Sequence, residues 1–269
     1  MTADRLSLVV PMHRSVATLA ALLQRLSATV PGSEVVLVDD ACPECSADHA
    51  VTIDCHDLDI VIVRVVPNVG QYAAVQIGAR HASGDVLVVM DSDLQDAPED
   101  VPTLVANLRA SPRVDVVCAA RTGRYTSPTR QLTARCYRAV VTSLTRGRIP
   151  KGAGMFLAVR AETFGHISAL GDPMAPLIPA LAVAGARINA ITLQRHARLH
   201  GVSGYTGSMR LRLALRGLAM VTPARPLMAR RHRAKFVKLA PVVSVERHGS
   251  RRSSSDYTSV PLKTYRSGS

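Results

Sequence analysis

Val86-Leu-Val-Val-Met-Asp-Ser-Asp-Leu-Gln-Asp-Ala-Pro-Glu99 is the stretch that decides the fold. Its opening is short, continuous and apolar, the pattern of a strand covered on both faces. It ends in Asp91-Ser92-Asp93. The residues 98–108 that follow read as a helix, with Pro98 at its start and acids in its first turn. Leu6-Ser-Leu-Val-Val-Pro11, Glu34-Val-Val-Leu-Val-Asp-Asp40, Ile60-Val-Ile-Val-Arg-Val-Val66 and 114–119 repeat the strand pattern. Between them, Leu19, Leu22, Leu23 and Leu26 recur at helical spacing behind a Ser15 cap, and 72–82 reads as an Ala-rich helix. Strands alternating with helices predict an α/β fold around a mostly parallel sheet. In such sheets ligands bind beyond the carboxyl ends of the strands. Pro11, Asp39, Asp40, Asp91 and Asp93 all fall there.

The second half is less regular. The pattern predicts a basic helix over 128–146, a glycine-led strand over 152–160, an apolar helix over 174–185 and a strand over 187–195. An amphipathic Arg-rich helix follows over 207–220. Ser, Arg and Gly dominate 249–255, so 241–269 reads as a disordered tail after a basic extension at 221–240. This gives one large domain over 1–220, with a ligand-binding half over 1–122 and a second half over 123–220.

The 269 residues carry 33 Lys plus Arg against 20 Asp plus Glu, a net charge of +13. The excess is confined to the later part. Residues 1–115 carry 16 acids and 7 bases, whereas 209–269 carry 2 acids and 14 bases. A basic chain invites a nucleic-acid hypothesis, but an acidic first part argues against it. Aromatics make up only 3% and Trp is absent, which argues against an RNA reader built on base stacking. No apolar run reaches the roughly 18 residues of a spanning helix. The N-terminus shows no secretory signal, so a reducing cytosol is the expected compartment. Cys42-Pro-Glu-Cys45, with His49, Cys55 and His56 nearby, matches no complete zinc signature and reads as a surface loop.

Two Asp at i and i+2 where a strand becomes a loop can hold one divalent cation. Mg²⁺ and Mn²⁺ take oxygen ligands and bridge carboxylates to phosphates. Asp91 and Asp93 are the candidates. Asp57-Leu-Asp59 has the same form but precedes a strand, and reads as solvated acids. Asp39 and Asp40 suit hydrogen bonds from a base or ribose.

These residues resemble a known family. Val9-Val-Pro-Met-His-Arg14, Val38-Asp-Asp40, Asn68-Val-Gly-Gln71, Ala82-Ser-Gly-Asp85 and the string from Met90 to Glu99 are similar to family 2 glycosyltransferases. The nearest branch is the polyprenyl- (dolichyl-) phosphate sugar transferases. Arg121, the strand from Gly154 to Arg160, and Arg198-Leu-His-Gly-Val-Ser-Gly-Tyr205 resemble its later motifs. The resemblance implies a GT-A fold and inverting transfer from a nucleotide sugar that is UDP-, GDP- or dTDP-linked. Pro11, Asp39 and Asp40 would contact the nucleoside. Asp91 and Asp93 would hold Mg²⁺ or Mn²⁺ with the diphosphate. Gln95 would sit beside the sugar-phosphate, and Arg121, Arg198 and Ser203 would face phosphate.

The chain departs from the branch at three places. His13-Arg14 stands where the family often has Asn-Glu. Lys151-Gly-Ala-Gly154 lacks the usual acid, and the carboxyl-terminal membrane helices are absent. If a general base is needed, Asp172 is the candidate; it reads equally as a helix cap. A phosphate acceptor needs no base, being ionised already. The basic stretch 209–238 suits an anionic membrane surface, and equally a half-buried helix with a solvated face. The acceptor is therefore a polyprenyl phosphate or a soluble small molecule, with the enzyme cytoplasmic or peripheral on the inner face of the membrane. Oligomeric state stays open. The competing readings are a nucleotidyltransferase and a non-catalytic membrane- or nucleic-acid-binding protein on the same scaffold.

Overall fold

The computed structural model describes residues 5–121, 140–196, 207–239, 241–248 and 258–261. The apolar runs form β1 (Leu6–Met12), β2 (Glu34–Asp40), β3 (Asp59–Val66), β4 (Val86–Val89) and β5 (Val116–Arg121), followed by β6 (Ala153–Arg160) and β7 (Ile188–Leu193). The helices among them are α1 (Val16–Thr29), α2 (Ser46–Val51), α3 (Gln71–His81), α4 (Val101–Ala110), α5 (Ala161–Ala169), α6 (Leu177–Val183), α7 (Gly207–Met220) and α8 (Arg225–Leu239). A 3₁₀ turn, Pro98–Asp100, leads into α4. Every residue of β2 and β4 is buried, which is why these strands are continuous rather than alternating.

A single sheet orders the described strands β7-β5-β6-β4-β1-β2-β3, continuing into β8 (Val242–His248) and β9 (Thr258–Pro261). β4, β1, β2 and β3 run parallel, while β6 lies antiparallel between β4 and β5. The chain moves from β1 outward to β2 and β3, then returns to place β4 on the other side of β1. That reversal opens a crevice at the carboxyl ends of β1 and β4, the binding position of such sheets.

Successive strand residues point to opposite faces, and each face has its own core. Val9, Val36 and Val38 pack with α3 and with Phe164, Leu181 and Phe236 of α5, α6 and α8. Leu8, Val10 and Leu37 pack with α1 and α4 through Leu19, Leu22, Leu23 and Leu104. α3 lies close to the sheet because it carries Gly78. A Cβ there would stand 2.5 Å from Val38 Cγ2 and 2.8 Å from Val9 Cγ1.

One expectation for the carboxyl-terminal part is corrected. Val242–His248 is not the start of a disordered tail; it pairs antiparallel with β3 over seven residues. Without it β3 would present an unpaired edge. The Ser, Arg and Gly that suggested disorder begin only at 249, outside the described residues. The basic stretch at 221–240 contains a half-buried helix, one of the two readings given to 209–238. α8 buries Ala229, His232 and Phe236, at spacings of three and four, against the domain.

Candidate active site

The acidic strand ends are built by hydrogen bonds to the loops around them. Asp39 Oδ1 accepts from the Cys42 backbone N–H at 2.7 Å, and its Oδ2 accepts from the Ala47 N–H at 3.3 Å. This carboxylate shapes the turn from β2 into α2. Asp40 accepts from the Val69 and Gly70 N–H groups at 2.6 and 2.8 Å, shaping the entry to α3. Burial raises the Asp40 carboxyl above its ordinary range, against those backbone hydrogen bonds and the His13 charge, which favour ionisation. Both acids are nearly buried, and each carboxylate oxygen keeps a lone pair that can accept again.

Pro11 lies where β1 still pairs with β2, through Val38, but has passed the last residue paired with β4. A residue without an N–H is tolerated there, beside the crevice. The adjoining turn is strained at Arg14, whose φ is +56°. Its N–H donates to Cys42 Sγ at 3.0 Å. The Cys42 thiol is drawn below its usual range: burial pushes it up, but hydrogen bonds from Ser46 and from the Arg14 and Glu44 backbone outweigh that.

Along Asp91 to Asp96 burial alternates, with Ser92, Leu94 and Asp96 inward and Asp91, Asp93 and Gln95 half-buried. Ser92 is the anchor. Its hydroxyl lies 2.6 Å from Ser15 Oγ, and its carbonyl accepts from Thr18 Oγ1 at 2.7 Å. Gln71, the first residue of α3, donates from Nε2 to Asp91 Oδ1. Asp93 Oδ1 accepts the Gln95 N–H at 3.1 Å. Asp91 and Asp93 are hard oxygen donors on a fixed loop, which suits Mg²⁺ or Mn²⁺. Among the described residues no group of three or more His, Cys, Asp or Glu is placed to hold a metal. An ion here would complete its shell with phosphate and water oxygens.

Residues 7–167 match the model of glycosyl transferase family 2. The chain belongs to that family. It is 29% identical over 219 residues to dodecaprenyl-phosphate galacturonate synthase of Rhizobium johnstonii, covering 78% of this chain and 64% of that protein. It is 32% identical over 211 residues to undecaprenyl-phosphate 4-deoxy-4-formamido-L-arabinose transferase of Pseudomonas fluorescens, covering 76% and 61%. The chain thus spans somewhat under two thirds of the length of these curated relatives. In fold it is similar to glucosyl-3-phosphoglycerate synthase of Mycobacterium tuberculosis, solved with Mn²⁺, UDP-glucose and glycerol 3-phosphate. The TM-score is 0.60 at 18% identity, over 81% of this chain and 80% of that one. The family 2 transferase therefore has the expected GT-A architecture.

Not every expected residue joins this site. Asp172 is 3% exposed, and both its oxygens lie 2.9 Å from His232 Nδ1 of α8. Its Oδ1 also accepts the Met174 N–H. A carboxylate so enclosed ties α8 to the domain, and we correct its reading as a base. Nor does it cap the following helix, whose cap position is Pro176. Arg121 ends β5, paired with Leu193 of β7; its side chain lies outside the described residues. So do Arg198 and Ser203. Sequence reasoning missed Arg195, which donates from Nη2 to Gln95 Oε1 at 2.8 Å. A base just past an apolar strand was the available signal.

Proposed function

We propose that this family 2 enzyme transfers a glycosyl group, with inversion, from a nucleotide diphosphate sugar to a polyprenyl phosphate. The observation that carries it is the tied cluster at the β1, β2 and β4 ends. Pro11 and Asp39 with Asp40 flank the crevice on the nucleoside side, and Asp91, Asp93 and Gln95 supply the diphosphate side. The relatives named as polyprenyl-phosphate sugar transferases support the acceptor.

Asp39 and Asp40 would accept hydrogen bonds from the nucleoside. Asp91 and Asp93 would hold Mg²⁺ or Mn²⁺, which when bound neutralises charge on the departing diphosphate. Gln95 would hydrogen-bond the sugar-phosphate and fix the anomeric carbon for in-line attack. A phosphate nucleophile is ionised near neutral pH, so the loss of Asp172 as a base leaves the chemistry intact. Arg121 and the 198–203 segment are assigned to phosphate.

α7 and α8 would bring the site to an anionic membrane surface. No described helix is long and apolar enough to cross a membrane. The outer face of α8 instead exposes Leu227 and Val237 beside Arg230, Arg231, Lys235 and Lys238. Each base near such a surface contributes about 1 kcal/mol.

The test is calorimetry with UDP, GDP and dTDP sugars in the presence of Mn²⁺. Transfer to undecaprenyl phosphate in vesicles, and to a panel of soluble phosphorylated acceptors, follows. Donor binding that disappears in Asp91→Ala and Asp93→Ala, with folding retained, is expected. Failure of every donor to bind sinks the reading. Turnover only with a soluble acceptor retains the transferase and replaces the lipid.

A further inference from the structure

Gln95 is tied to its own loop and, twice over, to the tail of β7. Its N–H donates to Asp93 Oδ1 at 3.1 Å, its carbonyl accepts the His196 N–H at 2.9 Å, and its Oε1 accepts from Arg195 Nη2 at 2.8 Å. Arg195 also pairs with Asp96, Nε to Oδ1 at 3.5 Å, a distance for charge attraction rather than a strong hydrogen bond. The loop needs holding. Leu94, between Asp93 and Gln95, has φ of +57°, a left-handed conformation costing a non-glycine residue on the order of 1–2 kcal/mol.

A guanidinium only donates hydrogen bonds. The Gln95 atom facing Arg195 must therefore be the amide oxygen, which turns the amide NH₂ the other way. We propose that Arg195 is a positioning residue for glycosyl transfer: it fixes the Gln95 side chain so that its NH₂, a donor, faces the sugar-phosphate oxygens. A free glutamine would present either end of its amide with equal ease, and the carbonyl end repels a phosphate. Arg195 removes that choice. Its planar fork spans Gln95 and Asp96 together, which a lysine point charge does not.

This inference rests on the reading of Gln95 as a donor contact, and the experiment separates the two. Arg195→Ala, Gln95→Ala and the double variant form a cycle. Transfer to undecaprenyl phosphate in vesicles is measured from UDP-glucose, UDP-galacturonate and GDP-mannose with Mn²⁺, alongside thermal melting. Each single change is expected to lower kcat about tenfold with donor KM changed less than about threefold, and the double variant to be no worse than either. Arg195→Lys is expected to stay impaired. Independently, the Gln95 side-chain amide signals in a nitrogen–proton spectrum, identified by their loss in Gln95→Ala, should collapse toward free-glutamine positions in Arg195→Ala. Losses that multiply in the double variant, full kcat in Arg195→Lys, or an unmoved amide signal overturn the proposal. The spectrum needs no donor. A wild type that turns over no nucleotide sugar fails the transferase reading, while the amide signal still decides whether Arg195 orients Gln95.

Discussion

Gln71 Nε2 and Asp91 Oδ1 stand 2.5 Å apart, so the first residue of α3 and the first acid beyond β4 are held as one unit. The contact joins the loop that leaves β3 to the loop that leaves β4, two strands on opposite sides of β1, while α3 itself lies across β1 and β2. The crevice at the strand ends is thereby bridged by a side chain. An acid that must meet a metal benefits from a donor fixing one oxygen, because the other then points in a defined direction.

Gln71→Ala should weaken Mn²⁺-dependent binding of a nucleotide sugar about tenfold. Melting temperature should move little, because Gln71 is a half-buried helix start rather than a core residue. Calorimetry with and without Mn²⁺ checks this. Equal weakening in both conditions would show that Gln71 does not act through Asp91.

Gly78→Ala tests how α3 is placed. The added methyl would meet two branched side chains, Val38 and Val9, closer than any ordinary contact. Both belong to central strands, so neither can withdraw. The expected cost is about 1–3 kcal/mol in chemical denaturation. Because α3 begins at Gln71, the push should also reach the site and weaken nucleotide binding. A neutral Gly78→Ala would mean that the helix lifts freely from the sheet.

Glu34 is 1% exposed at the opposite end of the sheet. It accepts from Ser7 Oγ at 2.6 Å, Ser83 N at 2.7 Å and Ser83 Oγ at 2.8 Å. Arg5 and Arg247 approach it at 3.9 and 3.5 Å, but both are about half exposed, so solvent screens those pairs. Its stabilisation resides in the hydrogen bonds. Glu34→Ala should cost about 2–4 kcal/mol while leaving nucleotide affinity of the folded protein unchanged. Denaturation and calorimetry on the same preparation separate the two effects, and a loss of affinity at full occupancy of the fold contradicts the assignment.

The ends of β1, β2 and β4 were legible because each is an apolar run that gives way to Pro or Asp, and only backbone periodicity was needed to find them. Contacts between distant segments were not. Arg195 reaches Gln95 across 100 positions, and His232 reaches Asp172 across 60. No local pattern marks either pair, so Asp172 read as a candidate base or a helix cap and Arg195 was passed over for Arg198. β8 was lost for a different reason. Val242-Val243-Ser244-Val245 has strand character, but the polar composition after 248 outweighed so short a run. What decides it is the open edge of β3, which exists only once the sheet is assembled.

Asp115 and Arg187 provide a test of acid stability. Arg187 donates to Asp115 from its backbone N, Nε and Nη2 at 2.8, 2.9 and 2.7 Å, joining the segment before β5 to the segment before β7. The Arg187 hydrogen bonds hold the Asp115 carboxyl below its ordinary range, against a smaller opposing effect of burial. An acid with a lowered native pKa binds fewer protons when folded than when unfolded. Its stabilisation is therefore complete above the unfolded pKa, about 4, and is lost as pH falls below it toward the native value. Asp40, raised by burial, contributes with the opposite slope, but it is common to wild type and variant and cancels in their difference. The stability gap between wild type and Asp115→Asn should be constant from about pH 5 to 8 and should narrow steadily below about pH 4. Denaturant titrations at stepped pH measure it, and a gap that persists unchanged into acid would show that the charge on Asp115 contributes nothing to the tie.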